Sequence, residues 1–219
     1  MRMLALLADG QTVWVEVRLD GGNAGGAVRA GDTVRRATGP GTPSVHALMA
    51  HLAHQGFAGS PRPLGIDAQG REVLTFLEGE TTGSALPWSG WVHAEATLVQ
   101  VAGWLRRYHE AVADFTPPSG AVWRMGGQWA PGLIIGHNDA APYNAVWREG
   151  RLTGFIDWDM AGPVSPQQDL AFAAFSWVPC MPGGSSPGKA SSISVPGRAD
   201  CGCSWPDMAG PGPVRPSWR

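Results

Sequence analysis

The sequence has few cysteines, no long apolar run and no excess of charge. Its three cysteines, among 219 residues, all follow the last regular pattern, so a disulfide framework is not expected. A net charge of −2 offers no basic surface for nucleic acid or an anionic membrane. No stretch approaches about 18 consecutive apolar residues, and the apolar run near the N-terminus is too short for a signal peptide. These absences predict a cytoplasmic protein without nucleic-acid or membrane partners, and they leave the oligomeric state open.

Glycine and proline are abundant instead, with 31 and 19 residues, and they divide the chain. Before residue 78, short alternating segments and one helical pattern over 43–55 predict the order β-β-β-α-β-β. A glycine-rich loop at 21–26 separates two of these strands. Residues 1–78 are therefore predicted to form one lobe.

Residues 79–179 follow a different pattern, with more helix and several short strands. Apolar residues at helical spacing predict a long helix over 91–114 and a second helix over 166–177. The inward stripe predicted for the long helix consists of Leu98, Ala102, Leu105, Tyr108 and Val112. This segment is predicted to be a second lobe.

The last segment, 180–219, is rich in Gly, Pro and Ser and has no structural period. Such a composition buries too little apolar surface to order a chain, so it is predicted to be a disordered tail. It is also typical of GC-rich DNA translated in a shifted frame. On that interpretation the second lobe is incomplete.

One motif carries most of the chemistry. His137, Asp139 and Asn144 occur as H-x-D-x-x-x-x-N between two short strands, and a third apolar strand ends at Asp157. A carboxylate beside an attacking hydroxyl, followed by an amide oxygen and a second carboxylate, suits phosphoryl transfer with Mg²⁺. His137 is expected to support the loop through hydrogen bonds from its ring nitrogens to the backbone.

Together with Ile156-Asp157-Trp158-Asp159 and Asp169-Leu170-Ala171, this motif resembles the aminoglycoside phosphotransferase family. The resemblance implies an α+β, protein-kinase-like fold with two lobes. A small antiparallel β-sheet lobe with one helix would precede a mainly helical lobe that carries the catalytic hairpin. It also implies that Asp139 is the catalytic base, that Asn144 and Asp157 bind Mg²⁺, and that Asp169 braces the catalytic loop. Asp159 is a candidate second metal ligand.

The nucleotide side of the site is less specific. Gly21 and Gly22 belong to the glycine-rich loop, which is expected to cover phosphates or to form a plain hairpin turn. The strand that follows offers Arg35 and Arg36 on opposite faces, and Arg35 is narrowly favoured as the phosphate ligand. The helix over 43–55 contains no Asp or Glu to pair with it, and His46 lies near the expected position.

The sequence thus predicts transfer of the γ-phosphoryl group of ATP or GTP to a hydroxyl of a small molecule, with Mg²⁺ as cofactor. The alternative is a catalytically silent nucleotide-binding pseudo-enzyme, produced by loss of the C-terminal helices. The pattern does not distinguish ATP from GTP and does not identify the acceptor.

Overall fold

A computed structural model describes residues 4–6, 12–19, 26–83 and 87–178. Gly21, Gly22, the three cysteines and the 180–219 segment lie outside these residues, so the predictions made for them stay predictions. The described part of the chain contains three α-helices and eleven strands. None of the described helices is long and apolar enough to cross a membrane.

A five-stranded antiparallel sheet forms the first half of the described chain. Its strands, in spatial order, are β3 (Val17–Arg18), β4 (Val28–Ala30), β5 (Thr33–Ala37), β7 (Arg71–Thr75) and β6 (Pro63–Ile66). A separate hairpin precedes it, made of β1 (Leu4–Leu6) and β2 (Thr12–Trp14). The central strand β5 therefore has a hydrogen-bonded neighbour on each side, which holds its side chains at fixed positions.

Helix α1 (Thr42–His54) lies between β5 and β6 in the chain. Pro43 occupies its first turn, where a missing N–H costs nothing, and Gly56 follows its end with a positive φ of 73°. The buried apolar side chains of α1 are those that the helical spacing predicts, namely Val45, Leu48, Met49 and Leu52. The core face of α1 is thereby confirmed.

Two helices and four strands follow. They are α2 (Glu95–Val112), β8 (Ile134–Gly136), β9 (Ala145–Arg148), β10 (Arg151–Phe155), β11 (Gly162–Val164) and α3 (Pro166–Trp177). Strands β9 and β10 form an antiparallel hairpin. Strand β11, which the sequence analysis did not predict, pairs with β8 and so closes the segment between them. It was missed because Gly162-Pro163 reads as a turn.

The long helix differs from its prediction in two ways. The first predicted turn is a separate 3-10 turn, Gly90–His93, which ends before α2 begins. The predicted stripe is also rotated, because Ala102 is exposed while Val101 and Trp104 are buried. Trp104 has the larger apolar area to bury, and it directs that face of α2 toward the core.

The antiparallel sheet with one helix, followed by α2 and α3, confirms the predicted α+β, protein-kinase-like fold. The division into lobes at residue 78 stays a prediction. The described residues up to Val178 fall within one compact unit of the chain, Met1–Ser186.

Gly59 and Gly154 lie in close contact, and this contact joins the segment before β6 to the catalytic hairpin. The carbonyl oxygen of Gly59 accepts the N–H of Phe155 and the indole N–H of Trp104, each at 3.1 Å. A Cβ on residue 154 would lie 2.7 Å from the carbonyl carbon of Gly59. The approach therefore requires that residue 154 has no side chain.

We predict that Gly154→Ala lowers the free energy of unfolding by about 1–3 kcal/mol, because the methyl group meets backbone that is already hydrogen-bonded. Chemical denaturation measures this loss. Gly39→Ala is the matched control, since a Cβ at Gly39 meets nothing within 4 Å. Equal stability of the two variants would contradict the prediction.

Candidate active site

The catalytic motif forms a tight loop between β8 and β9. His137 follows β8 directly, and Asn138 adopts a left-handed conformation with φ of 59°. The chain then turns through a 3-10 segment, Pro142–Asn144. Asn144 returns to Asp139, donating from Nδ2 to the carboxylate at 2.7 Å and to the backbone carbonyl at 3.0 Å. The structure thus brings Asp139 and Asn144 into contact.

The carboxylate of Asp139 accepts two hydrogen bonds. Besides Asn144, the hydroxyl of Tyr143 donates to its Oδ1 at 2.6 Å. Burial raises the pKa of Asp139 above its ordinary value, although the bonds from Tyr143 and Asn144 act in the opposite direction. A carboxylate with a raised pKa, fixed in place by two donors, is suited to accept a proton.

Asp157 lies next to Asn144 because the two strands of the hairpin return to the same end. The N–H of Ile156 donates to the carbonyl of Asn144 at 2.9 Å. Asp157 itself has a positive φ of 60°, an uncommon conformation that Asp tolerates better than most residues. It lies two residues after the end of β10 and directly before the 3-10 turn Trp158–Met160.

Asn144 and Asp157 provide the oxygen donors that Mg²⁺ prefers, and Mg²⁺ needs only one or two protein ligands beside phosphates and water. Within the described residues no group of three or more His, Cys, Asp or Glu could hold a metal ion. The donor set therefore fits a cation shared with a nucleotide better than a fully protein-bound metal.

His137 is completely buried beneath the loop. Its ring lies 4.5 Å from that of Trp158, centroid to centroid, and its Nδ1 accepts the N–H of Asp139 at 3.3 Å. Burial lowers the pKa of His137, while the nearby carboxylates, Asp139 foremost, act in the opposite direction. The neutral imidazole accepts a hydrogen bond at Nδ1 and packs on aromatic rings, so His137 is placed to support the loop.

Asp169 contacts the loop from the first turn of α3. A capping box between Ser165 and Gln168 starts this helix and places Asp169 one residue later. The carboxylate of Asp169, 1% exposed, accepts the N–H of Asn138 at 3.1 Å and lies 2.8 Å from Nε2 of His109. Asn138 and His109 were not predicted from the sequence, because their roles depend on contacts between distant segments.

Arg36, rather than Arg35, points to the catalytic segment. Its guanidinium lies 3.2 Å from Asp157 and 2.6 Å from Asp159. Burial acts to lower the pKa of Arg36, but Asp159 and the other neighbouring carboxylates raise it overall, so the side chain stays charged.

Arg35 points to the other face of β5. Its guanidinium lies 3.3 Å from Glu16 and 3.7 Å from Asp67, away from the catalytic carboxylates. The narrow preference for Arg35 is therefore revised in favour of Arg36. Alternation along a strand separates the two faces, but the sequence does not indicate which face meets the site.

The acidic partner that α1 lacks is found on β7. Glu72 is 2% exposed, and its carboxylate lies 2.6 Å from Nε of Arg36 and 2.8 Å from Nε2 of His46. Glu72 was not predicted from the sequence. The available signal was its position two residues before Leu74. Alternate residues of a strand point to the same face, so Glu72 is a charged residue on the buried face of β7.

Comparisons with known proteins show which proteins this chain resembles. The model of a phosphotransferase enzyme family matches residues 122–188. Trifolitoxin immunity protein from Rhizobium leguminosarum bv. trifolii is 40% identical over 165 residues, which are 73% of this chain. The chain spans 61% of the length of that relative.

Solved structures share the fold at low identity. A macrolide 2'-phosphotransferase from Brachybacterium faecium is 18% identical, with a TM-score of 0.54 over 79% of this chain and 73% of its own. An amicoumacin kinase in complex with AMP-PNP, Ca²⁺ and Ami is 12% identical, with a TM-score of 0.55 over 76% and 66%. An aminoglycoside phosphotransferase in complex with AMP-PNP and hygromycin B is 17% identical, with a TM-score of 0.51 over 78% and 75%.

The fold is thus that of the protein-kinase-like class. The segment that carries the catalytic motif matches the model of the phosphotransferase enzyme family, and the resemblance to aminoglycoside phosphotransferases is confirmed.

The buried His137 predicts a pH dependence of stability. Its pKa in the folded protein lies below the ordinary 6.5, so the unfolded chain binds more protons as the pH falls through that value. Stability from the neutral ring is present above about pH 6.5 and is lost progressively below it.

The free energy of unfolding, measured by urea denaturation at each pH, is therefore expected to fall more steeply between pH 7.5 and 5.5 in the wild type than in His137→Gln. His54→Gln, at an exposed site on α1, should keep the wild-type slope. A wild-type slope in His137→Gln would contradict the assignment.

Proposed function

We propose that this protein transfers the γ-phosphoryl group of ATP or GTP to a hydroxyl group of a small molecule. Asp139 receives or orients the hydroxyl proton as the acceptor oxygen attacks the γ-phosphorus. The bond from the acceptor oxygen to phosphorus forms, the bond to the β–γ bridging oxygen breaks, and the nucleoside diphosphate leaves. Mg²⁺, when bound, supplies positive charge to the phosphates, with Asn144 and Asp157 as its protein ligands.

The observation that carries this proposal is the convergence of Asp139, Asn144 and Asp157 at one end of the β9–β10 hairpin. Asn144 contacts Asp139 through its side chain and Ile156 through its backbone. Arg36 adds a cation at Asp157, from the central strand of the sheet. A base, two oxygen ligands and a cation are the parts that phosphoryl transfer needs, since its catalysis rests on positioning and charge stabilisation.

The names of the similar proteins guide the choice of acceptor. They refer to a toxin immunity protein and to phosphotransferases or kinases of macrolides, aminoglycosides and amicoumacin. We infer that the acceptor is a hydroxyl-bearing compound of the antibiotic or toxin class. A screen of this chain with γ-labelled ATP and GTP against a macrolide, hygromycin B, amicoumacin and trifolitoxin would identify it. Absence of transfer to all four would count against this acceptor class.

The role of Asp139 predicts that Asp139→Asn reduces phosphoryl transfer by about 10²–10⁴-fold, because the amide cannot take the proton. The substitution keeps the size of the side chain, so the Kd for Mg-nucleotide should change little. Transfer kinetics and calorimetric titration measure the two quantities. Unchanged turnover would refute the assignment, and wild-type protein that binds Mg-nucleotide without any transfer would support the pseudo-enzyme.

The two adjacent arginines allow a matched comparison. Arg36→Gln is expected to raise the Kd for Mg-nucleotide by roughly 10–100-fold, because a charge-assisted contact to phosphate is lost. Arg35→Gln removes the same charge on the opposite face and should stay within about threefold of the wild type. Equal effects of the two substitutions would show that neither face is specific for phosphate.

A further inference from the structure

Three elements meet at the buried carboxylate of Glu72. Arg36 on β5 and Glu72 on β7 are directly opposite in the antiparallel ladder, so their side chains share one face of the sheet. His46 reaches the same carboxylate from α1. A strand, its neighbour and a helix are thereby joined through one side chain.

The two oxygens of Glu72 have separate partners. Oε1 accepts from Nε of Arg36 at 2.6 Å, and Oε2 contacts Nε2 of His46 at 2.8 Å. A carboxylate that is 2% exposed requires such partners, because burial of an unpaired charge is costly. Nε of Arg36 is therefore held by Glu72, while its two terminal nitrogens face Asp157 and Asp159.

Helix α1 has no carboxylate of its own to offer Arg36. From Ser44 to Gln55 it presents histidines but neither Asp nor Glu. It also packs against the 3-10 turn Trp158–Met160, which contains Asp159. The side-chain link from α1 to Arg36 that the structure describes runs from His46 through Glu72.

We infer that Glu72 and His46 are positioning residues for the phosphate-binding Arg36. Glu72 fixes the guanidinium from the neighbouring strand, and His46 attaches α1 to that carboxylate, so the helix and the cation keep a constant separation. This inference rests on the proposed function, because it assigns a purpose to the orientation of Arg36 toward nucleotide phosphates.

The test moves the carboxylate from the strand to the helix. Glu72→Gln should raise the Kd for Mg-AMP-PNP or its GTP counterpart about tenfold, because Arg36 loses the charge that fixes its Nε. His46→Glu in the wild-type background should also weaken binding, since two carboxylates then face each other. In the Glu72→Gln background the same His46→Glu substitution should instead restore affinity to within about threefold of the wild type.

The inference is supported if His46→Glu weakens nucleotide binding in the wild-type background and strengthens it in the Glu72→Gln background. The same change of affinity in both backgrounds overturns it, because a purely structural histidine would respond equally. His54→Glu on the exposed part of α1 is the matched control and should leave affinity unchanged in both backgrounds. Circular dichroism checks that each variant is folded.

A second pair of variants applies if Glu72→Gln does not fold. His46→Gln keeps a donor toward Glu72 and should bind nucleotide like the wild type, whereas His46→Leu should weaken binding about threefold. Equal affinities of these two variants would overturn the inference. Failure of the wild type to bind either Mg-nucleotide would refute the proposed function itself and this inference with it, which is a different result from binding without the sign reversal.

Discussion

The contacts of Arg36 are the interaction on which the rest of the site depends. One guanidinium joins the sheet, through Glu72, to the segment that follows β10, through Asp157 and Asp159. Such a bridge between partly buried charges is directional, because the planar fork of arginine fixes the angles at which carboxylates bind. Loss of one partner leaves the others uncompensated, so the sheet and the catalytic hairpin are coupled by charge as well as by packing.

A second set of contacts holds the loop rigid from below. His137 packs among aromatic rings, and Asp169 accepts the N–H of Asn138, whose side chain donates to the carbonyls of Met160 and Gly162. These bonds connect the left-handed residue in the loop to α3 and to β11. Because Asn138 is fixed, Asp139 has a single direction in which to point. The position of Asp139, the proposed base, therefore depends on Asn138, Asp169 and the residues around them.

The parts predicted from the sequence are those whose partners lie close along the chain. The motif from His137 to Asp157 is almost contiguous, and the β9–β10 hairpin together with the pairing of β8 and β11 is enough to bring its residues together. The core face of α1 followed from spacing alone. Arg36 and Glu72 were different, since which face of the sheet meets the site is set by tertiary packing. Alternation along a strand shows which residues share a face, but it does not show which face meets the site. Arg35 was therefore predicted as the phosphate ligand in place of Arg36.

A balance of charge connects the arginine bridge to the proposed chemistry. Asp157, Asp159 and Glu72 contact the guanidinium of Arg36, whereas Asp139 accepts hydrogen bonds from the neutral side chains of Tyr143 and Asn144. Arg124 contacts Asp159 at 3.2 Å, and its side chain is more than half exposed. The negative charges of Asp139 and Asp157, close to Asn144, are therefore not fully balanced by the neighbouring arginines. Oxygen ligands for a cation are available at the same place. A divalent cation at that point would relieve the repulsion between Asp139 and Asp157. It would also free the terminal nitrogens of Arg36 for phosphate oxygens, so the proposed metal ligands and the proposed phosphate ligand would act together.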